Sequence, residues 1–408
     1  MPVLLQIDAC LNTGSTGRIT EDIARLAQKQ GWECYIIHGS RYVNPPSVMH
    51  SYSPGSVIDE YLHYAEHLFF DNDGLASRNT TRKAIEFINQ IKPDVIHMHD
   101  IHDHWLNYRI LFEYLNTINI PIVWTQHDCW TITGDCGYFS QLACNQWATV
   151  CSNNCPLRES NIFRKIFNNT QSHFNLKKRL FLEAKNLVLV PVSNWLEGVL
   201  KKSFLKDKPI KTILNGVDVN LFKPVEDCFT LQKYGLKDIN YLVGVATAWS
   251  ERKGFNDYLQ LSSMISDRIK IVLVGLNEKL RIEATKYGII GIPRTDNQEE
   301  LVALYSGASI VMNLSYEETF GLTTVEGFAC GTPSVVYNAT ASPELVTPET
   351  GVVCAPGDID GVAKAIDIIL LKGKGYYSNA CRERAIEKFN KDDRYQEYIN
   401  LYENLIKR

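Results

Sequence analysis

"SYEETFGLTTVEGFACGTPSVV", residues 315–336, places two carboxylates, Glu318 and Glu326, on either side of a phenylalanine-glycine pair. On its flanks lie two apolar runs, "ASIVMNLS" (308–315) and "PSVVYN" (333–338). Apolar along their whole length, both read as strands covered on two faces, which is the signature of a parallel sheet. Between them "YEETFG" reads as a loop and "LTTVEGFAC" as a short helix stopped by Gly331 and Pro333. Thr323 and Glu326 have the T-x-x-E spacing of a capping box, and the same helix start can receive an anion. Glu318 has no capping role, because it lies in the loop at the strand's carboxyl end.

The same strand-then-helix rhythm extends outward in both directions. Strands are expected at "VLLQID" (3–8), "CYIIHG" (34–39), "PDVIHMH" (93–99), "PIVWTQH" (121–127) and "LVLVPVS" (187–193). A second series runs "YLVGVAT" (241–247), "KIVLVG" (270–275), then the two strands of the opening stretch. Helical patterns such as "RITEDIARLAQKQG" and "NQEELVALYSGA" separate them. Two βα series in succession imply an α/β protein of two doubly wound, Rossmann-like parallel-sheet domains. The 408-residue length agrees, at roughly 150 residues per domain with some left over. The expected divisions are 1–205, 206–388 and a terminal helix, 389–408, packing back toward the first domain. Ligands of such sheets sit beyond the carboxyl ends of the strands, so the cleft between the domains is the expected site.

Composition excludes several classes. The apolar fraction is 45% and the charged fraction 22%, which argues against disorder, and a formal net charge of −4 gives no sign of nucleic-acid binding. "MPVLLQIDAC" lacks the basic start of a signal peptide, and no uncharged apolar run approaches the ~20 residues of a membrane span. Eleven cysteines without an export signal point to reduced thiols in the cytoplasm. One segment is locally basic: residues 158–211 hold twelve Lys/Arg against four Asp/Glu, interleaved with Phe and Leu. It reads either as a solvated helix face or as a contact for anionic membrane.

Several constellations invite a metal. His97, His99, His102, His104 and His127 lie close in sequence, with pairs two apart that can share a strand face. Histidines at strand ends can bond a ligand's hydroxyls without a metal, and that reading is preferred. The pairs Asp71/Asp73 ("FDNDG") and Asp358/Asp360 ("GDID") resemble metal–diphosphate carboxylates superficially, but both sit beside glycine and read as turn residues. Cys136, Cys144, Cys151 and Cys155, with Cys129 just before them, fall into one loop, where four thiols suggest a structural zinc site. Their x7, x6 and x3 spacings are not the tight C-x2-C knuckle, and buried thiols are the other reading.

The E-x7-E spacing of Glu318 and Glu326, with "FGL" between and "ACGTPSVV" after, resembles the signature of the family 4 glycosyltransferases. "LNTGSTGRI", "PDVIHMHDIH", "PIVWTQHDCW", "ILNGVDVNLF" and "ERKGF" resemble that family's other motifs in the family's order, over nearly the whole chain. "WTQHDCWTITGDC" and the cysteines after it look most like the branch acting in colanic acid, capsule and O-antigen biosynthesis. The resemblance implies a GT-B fold and a retaining, metal-independent hexosyltransferase. It implies a nucleotide-diphosphate sugar as donor, with UDP favoured over GDP, and a lipid-linked or oligosaccharide acceptor. The enzyme would be cytoplasmic and peripheral on the inner face of the membrane, with no cofactor needed for catalysis. A nucleotide-sugar epimerase and a non-catalytic nucleotide-sugar-binding partner are the alternatives.

The resemblance also assigns roles. Glu318 matches the glutamate on the donor sugar's hydroxyls, Glu326 the one on the ribose diol, and Lys253 the lysine on the diphosphate. Gly14 and Gly17 match the glycine loop, and His127 the histidine facing the reacting sugar. Arg294, Phe320, Gly321 and Leu322 join the donor-binding set. The family's usual Gly-Arg before the lysine is absent; Thr247 stands there, and Arg252 is the candidate replacement.

Overall fold

The structure is a computed structural model that describes residues 1–42, 45–156, 167–265 and 269–407. The chain forms two compact units, Met1–Ile213 with Tyr395–Arg408, and Leu214–Arg394. Each is built on a six-stranded, wholly parallel sheet.

In the first unit the strands are β1 (Val3–Asp8), β2 (Glu33–His38), β3 (His50–Tyr52), β4 (Val95–Met98), β5 (Ile122–Gln126) and β6 (Leu187–Pro191), ordered β3-β2-β1-β4-β5-β6. In the second they are β7 (Tyr241–Val245), β8 (Lys270–Val274), β9 (Ile290–Ile292), β10 (Ile310–Asn313), β11 (Ser334–Tyr337) and β12 (Gly351–Cys354), ordered β12-β11-β10-β7-β8-β9. Both orders are the doubly wound 3-2-1-4-5-6 arrangement, with the direction of winding reversing between β1 and β4 and between β7 and β10. Every expected strand forms, its ends within two residues of the expected bounds. The short edge strands β3, β9 and β12 are additional.

Leu4, Ile36, Val95, Val123 and Val190 of the first sheet join Ile19, Ile23, Ala24 and Ala27 of the helix Gly14–Lys29 in a single apolar cluster. Tyr395, Tyr398, Ile399, Leu401 and Tyr402 close the same cluster. They come from the last helix, Lys391–Ile406, whose first residues belong to the second unit.

The units divide after Ile213 rather than after residue 205. Residues 206–213 stay with the first sheet because the amide of Leu189 donates to the Pro209 carbonyl (2.9 Å) and the Lys211 amide to the Leu189 carbonyl (3.0 Å). The second unit runs past 388 to Arg394, held by Val217 donating to the Phe389 carbonyl (2.7 Å) and Lys391 donating back to Val217 (3.0 Å). No described helix is long and apolar enough to cross a membrane.

Candidate active site

The winding reversal of the second sheet brings the loop after β7 against the loop after β10. A single turn, Glu251–Lys253, follows β7 and ends at Gly254, whose φ is +73°. A Cβ there would stand 2.1 Å from the Leu314 carbonyl oxygen, so only glycine lets the β7 loop press on the end of β10. Two bonds lace the loops together: the Tyr316 amide donates to the Arg252 carbonyl (2.9 Å), and Arg252 Nη1 donates to the Glu317 carbonyl (3.0 Å). The result is an ion pair between Lys253 Nζ and Glu318 Oε1 at 2.5 Å. These side chains are 20% and 15% exposed, so the pair faces solvent at the carboxyl edge of the sheet. Thr340, in the loop after β11, fixes Glu318: its hydroxyl accepts from the Glu318 amide (2.8 Å) and donates to the Glu318 carbonyl (2.7 Å).

Glu326 lies on the helix Leu322–Ala329. The helix is not closed by the expected capping box. Its N-cap is Gly321, with φ +104° and no side-chain cap, so Thr323 already lies inside the first turn. Its first turn contains no acidic residue and no side chain caps it, which leaves the positive end of the helix dipole uncompensated by its own side chains. Glu326 Oε2 instead accepts from the Tyr305 hydroxyl at 2.8 Å. Burial, then the Glu326 charge, pushes that phenol well above its usual range, so it stays a donor. Phe320 is buried edge-on against Phe389, and Leu322 is half-buried. Arg294 is exposed, just after edge strand β9. Thr247 is exposed just after β7.

The first sheet ends differently. Gly14 opens the helix Gly14–Lys29 with φ +66°, and a Cβ on Gly17 would come within 3.0 Å of Cys10. His127 follows β5, and His99 follows β4. Their rings meet with His99 Nδ1 3.0 Å from His127 Nε2, and His99 Nε2 is 3.0 Å from Gln6 Oε1. His97 continues the row, between Thr125 Oγ1 (2.7 Å) and the Tyr402 hydroxyl (2.6 Å). Burial lowers all three imidazoles and keeps them neutral, fit to bond hydroxyls rather than phosphates. Beside them Asp8 is fully buried and takes a bond from the Thr20 hydroxyl (2.7 Å). Burial and then the charge of Asp100 raise its carboxyl well above the ordinary range.

The five histidines do not gather round one point. His102 pairs with Asp128 at 3.0 Å, and burial of its ring is outweighed by Asp128, which lifts it to about 10. His104 turns toward His67 and Asp73, and these are the described residues whose ligand atoms all lie within 4.8 Å of one another. Asp73 is therefore not a turn carboxylate in solvent, and neither is Asp71, which is buried and accepts from the Asn169 amide at 2.5 Å. Asp358 keeps its local role, accepting from the Gly361 amide at 2.8 Å as a helix cap.

Cys136, Cys144, Cys151 and Cys155 line one cavity of about 10 Å³ with Phe139 and Trp147. Burial pushes Cys151 up to about 11 and raises Cys136 as well. The ligand atoms of the four cysteines do not meet within the short range that those of His67, Asp73 and His104 share.

The described part of the basic segment is mixed: Lys178, Arg179, Lys185, Lys201, Lys202 and Lys206 are exposed, while others are used by the fold. Lys177 is fully buried, Lys208 donates to the Leu182 and Ala184 carbonyls (2.8 and 2.6 Å), and Lys201 pairs with Glu197 at 2.6 Å. Residues 158–166 of that segment lie outside the described residues.

Three supports escaped sequence reasoning. Tyr305 reads as an ordinary apolar-face residue of its helix, Thr340 sits in a loop with no motif, and Gln6 is one polar residue in an apolar strand. Only the assembled sheet shows what each holds.

The profile of the family described as Glycosyltransferase Family 4 matches residues 16–221, and that described as Glycosyl transferases group 1 matches residues 229–388. The chain is 25% identical over 236 residues to N-acetyl-alpha-D-glucosaminyl L-malate synthase of Bacillus anthracis, covering 54% of this chain and 60% of that protein. It is 25% identical over 163 residues to the glycosyl transferase WcaC of Escherichia coli K12, named for colanic acid biosynthesis, covering 38% and 39%. The chain thus spans about 60% and 39% of the lengths of these relatives. Among solved structures, sucrose-phosphate synthase from Thermosynechococcus elongatus superposes with a TM-score of 0.74 at 21% identity, covering 99% of each chain. HepE of Anabaena in complex with UDP-glucose superposes with a TM-score of 0.65 at 17% identity, covering 98% of this chain and 99% of that one. These likenesses fit the GT-B fold.

Proposed function

The chain belongs to glycosyltransferase family 4, and on that premise we propose that it moves a hexose from a nucleotide-diphosphate sugar to a lipid-linked glycan, with retention and without a catalytic metal ion. The observation that carries this reading is the Lys253–Glu318 pair at the winding reversal of the second sheet. It puts a cation suited to a diphosphate beside a carboxylate suited to sugar hydroxyls, at the place where doubly wound sheets bind nucleotides.

In the proposed reaction the acceptor hydroxyl attacks the anomeric carbon on the face from which the diphosphate departs. The bond from that carbon to the phosphate oxygen breaks as the new glycosidic bond forms. A phosphate oxygen of the donor takes the hydroxyl proton. Lys253 and the uncapped end of the helix Leu322–Ala329 meet the charge that builds on the leaving diphosphate. Arg252 stands in for the arginine whose place Thr247 occupies, with one guanidinium edge already anchored on Glu317. Glu318 holds the sugar, Glu326 the ribose diol, and His127 a hydroxyl of the reacting sugar.

UDP is the favoured nucleotide, supported by the UDP-glucose complex of the HepE structure. A surface polysaccharide as product is supported by the likeness to WcaC. Membrane contact has better support from the helix Val57–Phe70 than from the basic segment, because Ile58, Tyr61, Leu62, Phe69 and Phe70 on it are exposed. The test is transfer from labelled nucleotide sugars in metal-free buffer, with the product's anomeric configuration read by NMR. An inverted product, or strict dependence on added manganese or magnesium, overturns the proposal.

A further inference from the structure

The helix Val57–Phe70 has two faces of opposite character. One exposes apolar side chains. The other carries His63 and His67, one helical turn apart and both buried. Asp73, just past the end of this helix, is also buried, at 6% exposure. His104 reaches the same point from the loop after β4. His67 Nδ1 stands 3.6 Å and His104 Nε2 3.8 Å from a single atom, Asp73 Oδ1.

Those separations are too long for hydrogen bonds. They are close to what a shared ion requires: donors about 2.0–2.1 Å from a tetrahedral centre stand roughly 3.3–3.4 Å apart. The other oxygen of Asp73 is already fixed, since Trp130 Nε1 donates to Oδ2 at 2.9 Å. An outer donor of this kind orients a ligand carboxylate. Both ring nitrogens of His104 are buried without a hydrogen-bond partner, and its backbone is left-handed at φ +67°, after Asp103 at +76°. A neutral imidazole left bare in the interior is costly unless something accepts its lone pair. His63 is nearby, its Nδ1 2.8 Å from Ser77 Oγ and its Nε2 buried without a partner, its ring perpendicular to that of His104 at 5.6 Å.

We propose that His67, Asp73 and His104 bind one divalent ion of the zinc class, with His63 or a water as the fourth ligand. Two or three imidazoles and one carboxylate suit zinc, cobalt or nickel and not magnesium or calcium. The buried ammonium of Lys177, 3.4 Å above the Trp130 ring, also feels Asp73, so the ion shares that carboxylate's charge with a resident cation. The site belongs to the first unit, whereas Lys253 and Glu318 belong to the second, and the proposal gives it no part in sugar transfer. Its work is to fasten the helix Val57–Phe70 to the loop after β4, so that the exposed apolar face is held by its buried one.

The experiment uses the full chain, stripped with chelator and titrated with Zn²⁺ and then with Co²⁺. Metal content is read by elemental analysis, geometry by the visible Co²⁺ spectrum, and folding by thermal melting. The expected result is one ion per chain, a higher melting temperature on loading, and a tetrahedral cobalt spectrum without thiolate charge-transfer bands. His104→Gln and His67→Gln should each weaken binding by at least about a hundredfold, while Cys136→Ser/Cys151→Ser keeps it. No binding by the parent chain, binding unchanged in both histidine variants, or a cobalt spectrum with thiolate bands that vanish in the cysteine variant would each sink the proposal. If either histidine variant fails to fold, the cobalt spectrum of the parent decides between imidazole and thiol ligands.

Discussion

Both sheets wind in the same order, yet their carboxyl edges end in different chemistry. At the edge of the second sheet stand full charges, Lys253 against Glu318, partly open to solvent. At the edge of the first stand neutral rings and a raised carboxyl, His97, His99, His127 and Asp8, bonded to one another's neighbours and largely enclosed. The contrast follows from what each edge can afford to bury. A charge kept in water loses little when its partner is exchanged for a ligand's phosphate, whereas an enclosed charge is expensive. Neutral imidazoles can be buried and still discriminate among hydroxyls by donor and acceptor pattern. The fold therefore supplies two similar platforms, and on the proposed reading the residues after the strands make one an anion receiver and the other a hydroxyl reader.

The sharpest way to break this comparison is Lys253→Ala. Turnover should fall by about a thousandfold or more, since roughly 4 kcal/mol of transition-state stabilisation is lost when a diphosphate loses its cation. Melting should hardly move, because a partly exposed pair contributes only about 0–1 kcal/mol to stability. Equal losses in both would make the pair structural. His127→Ala addresses the opposite edge: turnover should drop roughly tenfold to a hundredfold with donor affinity within about a factor of two, in steady-state kinetics and nucleotide titration. A large loss of nucleotide affinity would erase the distinction between the edges.

Glu326→Gln should weaken nucleotide binding by about tenfold, as a charge-assisted bond becomes an ordinary one. Tyr305→Phe, which removes the donor that holds Glu326, should do so by less; calorimetric titration with nucleotide ranks the two. Unchanged affinity in both would leave Glu326 a purely internal acceptor.

The smallest effect belongs to Asp8. Burial and Asp100 raise its folded pKa, so the folded protein keeps a proton that the unfolded chain releases. Such a group favours the fold below its unfolded pKa, about 3.9, and that contribution is lost as pH rises through the folded value. Asp8→Asn can still accept from Thr20, and it should raise the melting temperature by about 2–4 °C near neutral pH, with the gain shrinking in acid. A gain that ignores pH would show that Asp8 is not the proton holder.

How legible all this is in the sequence depends on how local each cause is. The strands of both sheets announce themselves, because a strand buried on two faces must be apolar throughout. β3, with the sequence His-Ser-Tyr, and β9, Ile-Gly-Ile, are edge strands of three residues with no such run to read. Lys253, Glu318 and Glu326 stand out because each follows a strand or opens a helix, a position visible in one dimension. The capping box misleads for the opposite reason: the T-x-x-E spacing is present, but Gly321 in a left-handed conformation starts the helix two residues early. His67, Asp73 and His104 share no spacing at all; one is on a helix, one in a turn and one in a loop from another strand, and only the tertiary fold makes them neighbours.

The last helix has a consequence for the order in which the molecule is made. Tyr395, Tyr398, Ile399, Leu401 and Tyr402 complete the apolar cluster whose other members lie before residue 214. On a ribosome, the whole of Leu214–Arg394 must be synthesised before those side chains exist, a wait of roughly 10 s or more at about 5–20 residues per second. During that interval the part of this cluster that the last helix covers stays open, with the helix Gly14–Lys29 packed on the cluster. The second unit needs no such wait for its strands and can fold as it emerges. The half of the protein that is translated first is therefore the half that finishes last, and for that interval it is the natural client of a chaperone.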